Sequence, residues 1–93
     1  MDFEWDEAKS ERCFTDRGFD FGYAVRAFLD PNRLVQLDAR HSYGEDRYQL
    51  IASIERRVFV VVYTARHNAI RIISARKANK REVKHYEENT RQG

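Results

Sequence analysis

Between Arg47 and Ala75 three strand-like runs follow one another with breaks of only three residues each. Arg47 to Ile54 alternates: Tyr48, Leu50, Ala52 and Ile54 fall on one face, Arg47, Gln49 and Ser53 on the other, and Ile51 breaks the rule. After Glu55-Arg56-Arg57 comes Val58 to Ala65, apolar on both faces as a centrally placed, doubly covered strand is. Arg66-His67-Asn68 then turns the chain into Ala69 to Ala75, which carries Ile70, Ile72 and Ile73. A parallel neighbour needs a crossover of a dozen or more residues, so connections this short admit only antiparallel pairing.

The flanking segments supply the other layer. Met1 to Trp5 alternates acidic and apolar residues and suits a short strand. Asp6 is placed to cap a helix that ends at Gly18, with Ala8, Cys13 and Phe14 as a weak apolar face. Asp20 caps a second helix, on which Phe21, Ala24, Val25 and Phe28 recur at i, i+3, i+4 and i+7, and Asp30-Pro31-Asn32 ends it with turn chemistry. Arg33 to Asp38 reads as a further strand, and Ala39 to Asp46 as a polar loop. A last helix starts near Asn79, with Glu82 three residues on in a capping-box arrangement and Val83, Tyr86 and Thr90 along one side. The expected fold class is α+β in the order β-α-α-β-β-β-β-α. It has a short N-terminal strand and two helices packed on a four-stranded antiparallel sheet, then a C-terminal helix, in a single domain spanning residues 1–93.

At 93 residues and 34% charged, the chain has no apolar run near the roughly 20 residues that span a bilayer, and its first residues are acidic where an export signal is basic. The expected location is the cytoplasm. A lone Cys13 fits that compartment and permits neither an internal disulfide nor a cysteine zinc site. Charge is unevenly spread: residues 1–46 hold six Lys/Arg against eleven Asp/Glu, and residues 47–93 hold eleven against four. Such asymmetry marks a nucleic-acid surface or an acidic partner, unless the two halves neutralise each other in the fold.

The cations thicken toward the end. Lys77/Arg81 and Lys80/Lys84 are like-charge pairs at i, i+4, each destabilising a helix by about 0.2–0.5 kcal/mol, which a bound phosphate backbone relieves. Lys77, Lys80, Arg81 and Lys84 are therefore the expected RNA contacts, with a solvated helix face as the plainer reading. His41, His67 and His85 have no metal-ligand spacing, and there is no HExxH, Gly-rich phosphate loop or nucleophilic-serine signature. Neither metal nor cofactor is expected. RNA allows metal-free cleavage because its own 2′-hydroxyl is the nucleophile. Such a site needs cations at the phosphate, a base for the 2′-oxygen and a proton donor for the leaving 5′-oxygen. Arg47, Arg71 and Arg76, at strand ends, are candidates for the cations. Glu82 is a candidate base and Tyr86 a candidate donor or stacking ring. Each has a plainer alternative, Glu82 as a helix cap and Tyr86 as an inward-facing core residue, and His41 or His67 is a substitute for either. The chemistry depends on those guanidinium groups converging, unopposed by carboxylates, where the last strands meet the terminal helix.

Phe3-Glu4-Trp5-Asp6 with Lys9, then Gly18-Phe19-Asp20-Phe21 with Ala24, then Phe28 and Asp30-Pro31, resemble the opening of the BrnT family. Glu45, Arg47, Val61-Val62-Tyr63-Thr64 and above all Arg71-Ile72-Ile73-Ser74-Ala75-Arg76 with Ala78, Glu82 and Tyr86 continue that resemblance in order over nearly the whole chain. The resemblance implies a fold like that of RelE-type ribonuclease toxins and an RNA-cleaving toxin of a type II toxin–antitoxin pair that inhibits translation. It also implies a BrnA-type antitoxin that binds the toxin, dimerises and represses the shared operon, as a heterotetramer on operator DNA. Where the family commonly has Asn, and then Lys-His before the glycine, this chain has Cys13 and Asp16-Arg17. Arginine keeps a cation there but cannot cycle a proton near neutral pH. That departure keeps a second class of function open, a catalytically weak homologue that binds antitoxin and co-represses the operon. A plain RNA-binding module is the third reading, disfavoured by the missing Gly-aromatic strand signature.

Overall fold

The computed structural model describes residues 2–38 and 44–92, so the expectation for His41 lies outside the described residues. The elements follow the expected order: β1 (Asp2–Trp5), α1 (Glu7–Arg17), α2 (Phe21–Ala24, continued as a 3-10 turn over Val25–Leu29), β2 (Leu34–Leu37), β3 (Tyr48–Ile54), β4 (Arg57–Arg66), β5 (Ala69–Lys77) and α3 (Lys80–Gln92).

One expectation is corrected. The sheet has five strands, ordered β1-β5-β4-β3-β2, and it is mixed. β1 joins its edge parallel to β5, with Phe3 opposite Ile70 and Trp5 opposite Ile72, while β2 to β5 form the expected antiparallel set. β1 is drawn in by its apolar side chains, since Phe3 meets Phe28 edge-on at 5.0 Å and Trp5 meets Phe21 at 6.5 Å.

Alternation along the strands sends each face of the sheet to a different partner. Leu50, Ala52, Ile54, Phe59, Val61, Ile72 and Ala75 pack under α1 and α2 in the main core. Ile51 and Val60 point the other way and pack with Tyr86 of α3, which accounts for Ile51 breaking the pattern of β3. β4 is central and covered on both sides, as its composition indicates.

The face of α1 differs from the expected one. Ala8 and Phe14 are exposed, and Ser10 and Cys13 are buried. Ser10 is buried because its hydroxyl accepts the Phe21 N–H at 3.0 Å, satisfying a donor of the first turn of α2. Both expected caps are realised: Asp6 accepts from Ala8 and Lys9, and Asp20 from Tyr23. Gly18 ends α1 at φ 87°, a left-handed position that favours glycine.

The β3–β4 hairpin turns on Glu55 and Arg56, both left-handed, at φ 51° and 70°. Such a two-residue turn matches strand twist but favours Asn-Gly, and a Cβ there costs about 1 kcal/mol. Arg56→Gly is therefore expected to stabilise the fold by about 1 kcal/mol and raise Tm by about 4 °C or more, which thermal unfolding reads directly. Glu55→Gly should gain less, because Glu55 accepts from Tyr23 (3.0 Å) and Arg26 (2.8 Å).

Candidate functional site

The second face of the sheet is covered by α3 only at one end. In register, Arg76 lies opposite Val60, Ser74 opposite Val62 and Arg71 opposite Thr64. Gln49 lies opposite Val62 and bonds Gln36 on the neighbouring strand at 3.1 Å. Arg47, just before β3, shares the parity of Gln49 and Ile51 and so falls on the same face. The sheet thus brings the three sequence-predicted arginines onto one polar surface, walled at one end by α3. A bulge in β5 at Ile73, where the register slips past Val62/Tyr63, lets both Arg71 and Arg76 take this face although five positions apart.

The cations are not unopposed, and on this point the expectation is corrected. Arg76 makes a two-pronged ion pair with Glu82, at 2.8 and 2.9 Å, with side chains 37% and 18% exposed. Hydrogen bonding by Glu82 raises the Arg76 pKa further above its ordinary value, so the guanidinium stays charged. Arg71 pairs with Glu4 on the adjacent strand at 3.2 Å, a contact set by the β1–β5 register. At the far end Arg66 grips Glu45 at 2.9 Å, and that hydrogen bond holds the Glu45 carboxyl below its usual range, helped by the charges of Arg66 and Arg47. Glu4 and Glu45 entered the sequence reading only within the family resemblance and Arg66 only as a turn residue, none of them with a role at the site. What pointed to their pairing was the acidic excess of the first half facing the basic second half.

Glu82 realises the capping box: Asn79 Oδ1 accepts the Glu82 N–H at 2.8 Å, and Glu82 Oε1 accepts the Asn79 N–H at 2.9 Å. The carboxylate is thereby held against both the helix start and Arg76. Tyr86 takes its plainer alternative. It is buried against Ile51 and Val60, and its hydroxyl donates to Asp30 Oδ2 at 2.5 Å, which ties α3 to the sheet and to the turn after α2. Burial first, and then the Asp30 hydrogen bond and charge, push the Tyr86 phenol up to about 12. Lys80, Arg81 and Lys84 stand exposed on α3. Lys77 departs from them, for it lies opposite Phe59 and faces the α1/α2 side. His67 is exposed in the β4–β5 turn and His85 on α3. Among the described residues no three His, Cys, Asp or Glu side chains group so as to hold a metal, and no helix is long and apolar enough to cross a membrane.

Residues 5–82 match the family described as the ribonuclease toxin BrnT of type II toxin–antitoxin systems. The chain belongs to the BrnT family. Membership makes it a ribonuclease toxin of a type II pair and gives it an antitoxin as partner. No curated protein matches the chain significantly. Arg47, Arg71, Arg76 and Glu82 fall inside the BrnT match, as do Lys77, Lys80 and Arg81, while Lys84 and Tyr86 lie beyond it. At the three positions where this chain departs from the BrnT resemblance, Cys13 is buried, with its thiol 3.6 Å from the Ala75 carbonyl oxygen, and Asp16 and Arg17 close α1 at the surface.

Proposed function

We propose that the chain is an endoribonuclease that cuts RNA without a metal on the arginine face of the sheet. On this reading Arg71 and Arg76, with Arg47 at the start of β3, hold the scissile phosphate. The RNA's 2′-oxygen attacks phosphorus, the bond from phosphorus to the 5′-oxygen breaks to leave a 2′,3′-cyclic phosphate, and the leaving 5′-oxygen takes a proton from water. Glu82 is the candidate acceptor for the 2′-proton, once the phosphate has drawn Arg76 off it. Tyr86 is assigned support of α3 instead of proton transfer. The chain acts as one domain in the cytoplasm with a RelE-like fold. Its BrnA-type antitoxin neutralises it in a heterotetramer that binds operator DNA.

The observation that carries this reading is that Arg71 and Arg76 share one face of the sheet, with Arg47 just before β3 in step with the same alternation. Their carboxylate partners do not block it, on magnitudes. Partly exposed ion pairs such as Arg71–Glu4 and Arg76–Glu82 are worth about 1 kcal/mol, whereas charge-assisted hydrogen bonds to a phosphate contribute about 1.5–3 kcal/mol each. The exchange favours substrate and lets the free protein keep its cations positioned.

The purified protein is expected to cut RNA in excess EDTA, leaving a cyclic phosphate and a 5′-hydroxyl, and to arrest growth when induced without its antitoxin. A requirement for divalent metal, or products ending in 5′-phosphate, would remove the mechanism. The second reading, a binding partner and co-repressor that does not cut, has one observation on its side: Arg17 stands where the resemblance has a histidine. Normal growth at confirmed expression, with tight antitoxin binding, would decide for it.

A further inference from the structure

We propose that single-stranded RNA runs on from the arginine face, over the bare end of β5, into a cationic groove between β5 and α1. The inference rests on the ribonuclease reading and extends its binding site to a surface on the other side of the sheet. β1 pairs with β5 only from Ala69 to Ile72. From Ile73 to Lys77 that edge of β5 has no strand beside it among the described residues. Helix α1 lies along it instead, held by the Cys13 contact to Ala75.

Two clefts adjoin there. The floor of the first is Ile73, Ser74 and Ala75, its wall carries Lys9, Arg12 and Arg17, and no carboxylate lines it. The second shares Arg17 and turns round the end of α1, bringing in Arg57, Lys77 and the rings of Phe14 and Tyr23. Asp20 is its one carboxylate, and one of its oxygens is engaged in capping α2.

The contrast with the arginine face carries the argument. Arg66, Arg71 and Arg76 are each ion-paired, whereas among the described residues none of Lys9, Arg12, Arg17, Arg57 and Lys77 is within ion-pair distance of a carboxylate. Five cations around one groove, with internal partners for none, call for an external polyanion. Phe14, 60% exposed at the lip, adds an aromatic plate that contributes nothing to the core. A ring beside a cation track is how proteins hold unpaired bases, whatever the sequence. Continuity singles out RNA over an acidic protein segment. Arg76 and Lys77 are consecutive on β5 yet face opposite sides of the sheet, so a strand crossing its open edge meets both.

The test is binding of fully 2′-O-methylated single-stranded RNA, which cannot be cut, followed by fluorescence anisotropy. For a twelve-nucleotide probe, the Lys9→Gln, Arg12→Gln, Arg17→Gln variant is expected to bind roughly tenfold more weakly. Its slope of log K against log salt should fall by about 2, three lost cations at about 0.7 each. A three-nucleotide probe should be unaffected. Phe14→Ala should weaken the long probe about tenfold and leave the salt slope unchanged. Unchanged affinity and slope in a triple variant that melts like the wild type would overturn the groove. So would a variant that keeps RNA but loses an acidic peptide or the antitoxin. Because the probes are uncleavable, a wild type that binds them but cuts no natural RNA would count against the ribonuclease reading alone.

Discussion

Arg76→Ala is expected to lower kcat/KM for RNA cleavage by about 10²–10³-fold, the usual loss when one preorganised donor to a developing oxyanion is removed. The size of the effect follows from how Arg76 is held. Its planar fork is fixed by two hydrogen bonds to Glu82, and Glu82 is fixed by its reciprocal bonds with Asn79. A guanidinium held beside the site until substrate arrives has only to trade Glu82 for the phosphate on binding, and it is then in place as charge builds on the phosphorane. Arg76→Lys keeps the charge and loses the fork, so it should fall between wild type and alanine.

Glu82 separates positioning from proton transfer. If it only orients Arg76, Glu82→Gln should cost about tenfold and leave the shape of the pH–rate profile intact. If it takes the 2′-proton, the loss should be larger, and the limb governed by its ionisation should vanish. Truncating Glu82 also removes a cap contact worth about 1 kcal/mol, so rates should be compared well below the melting temperature. Undiminished cleavage by an Arg76→Ala, Glu82→Ala double variant would take the active site off this face altogether.

How much of this was legible beforehand depended on the range over which each feature is decided. The β3-β4-β5 meander follows from turn lengths, which are local, and so do the capping box at Asn79 and Glu82 and the caps at Asp6 and Asp20. β1 was recognised as a strand but not placed. Its four residues pair with β5 across more than sixty positions of chain, and what decides that is burial of Phe3 and Trp5, not any connection. The same distance hid Glu4 from Arg71. Glu82 was read correctly as a cap, yet its grip on Arg76 depends on where β5 ends relative to α3. Ser10 was passed over because a serine on a helix reads as surface, and only the approach of α2 gives its hydroxyl a buried donor. Charge asymmetry between the halves pointed to a nucleic-acid surface and, equally, to internal pairing. Among the described residues, Arg66 and Arg71 pair with first-half carboxylates and Arg76 with Glu82, whereas the cations of the α1 groove lie beyond ion-pair distance of any carboxylate.

The largest expected loss of stability comes from Asp30, read from the sequence as a turn residue. Its Oδ2 accepts from the Tyr86 hydroxyl and from the Ser53 N–H at 2.8 Å, and its Oδ1 from the Asn32 N–H at 2.9 Å, tying the end of the α2 turn, β3 and α3 at one carboxylate. Asp30→Ala leaves the buried Tyr86 hydroxyl and the Ser53 N–H without an acceptor and should destabilise by about 3 kcal/mol. Tyr86→Phe removes one partner only, at about 1.5–3 kcal/mol, and the double variant should fall well short of the sum. The tie also carries a pH signature. Burial raises the Asp30 carboxyl, but hydrogen bonds from Tyr86, Ser53 and Asn32 and the charge of Arg33 outweigh it, and its pKa lies below the ordinary 3.8. Its contribution is therefore complete above that ordinary value and is lost as pH falls through the lowered one. Tyr86, ordinarily near 10 and here about 12, contributes fully below pH 10 and loses that contribution as pH rises toward 12. Denaturant unfolding from pH 3 to pH 11.5 should show a plateau that falls at both ends. Tyr86→Phe should flatten much of the alkaline fall, with Tyr23 and Tyr63, whose pKa values burial also raises, carrying the remainder. A Tyr86→Phe protein as stable as wild type at pH 7, with a parallel alkaline limb, would show that α3 is not anchored through this hydroxyl. The position of Glu82 against Arg76 would then need another support.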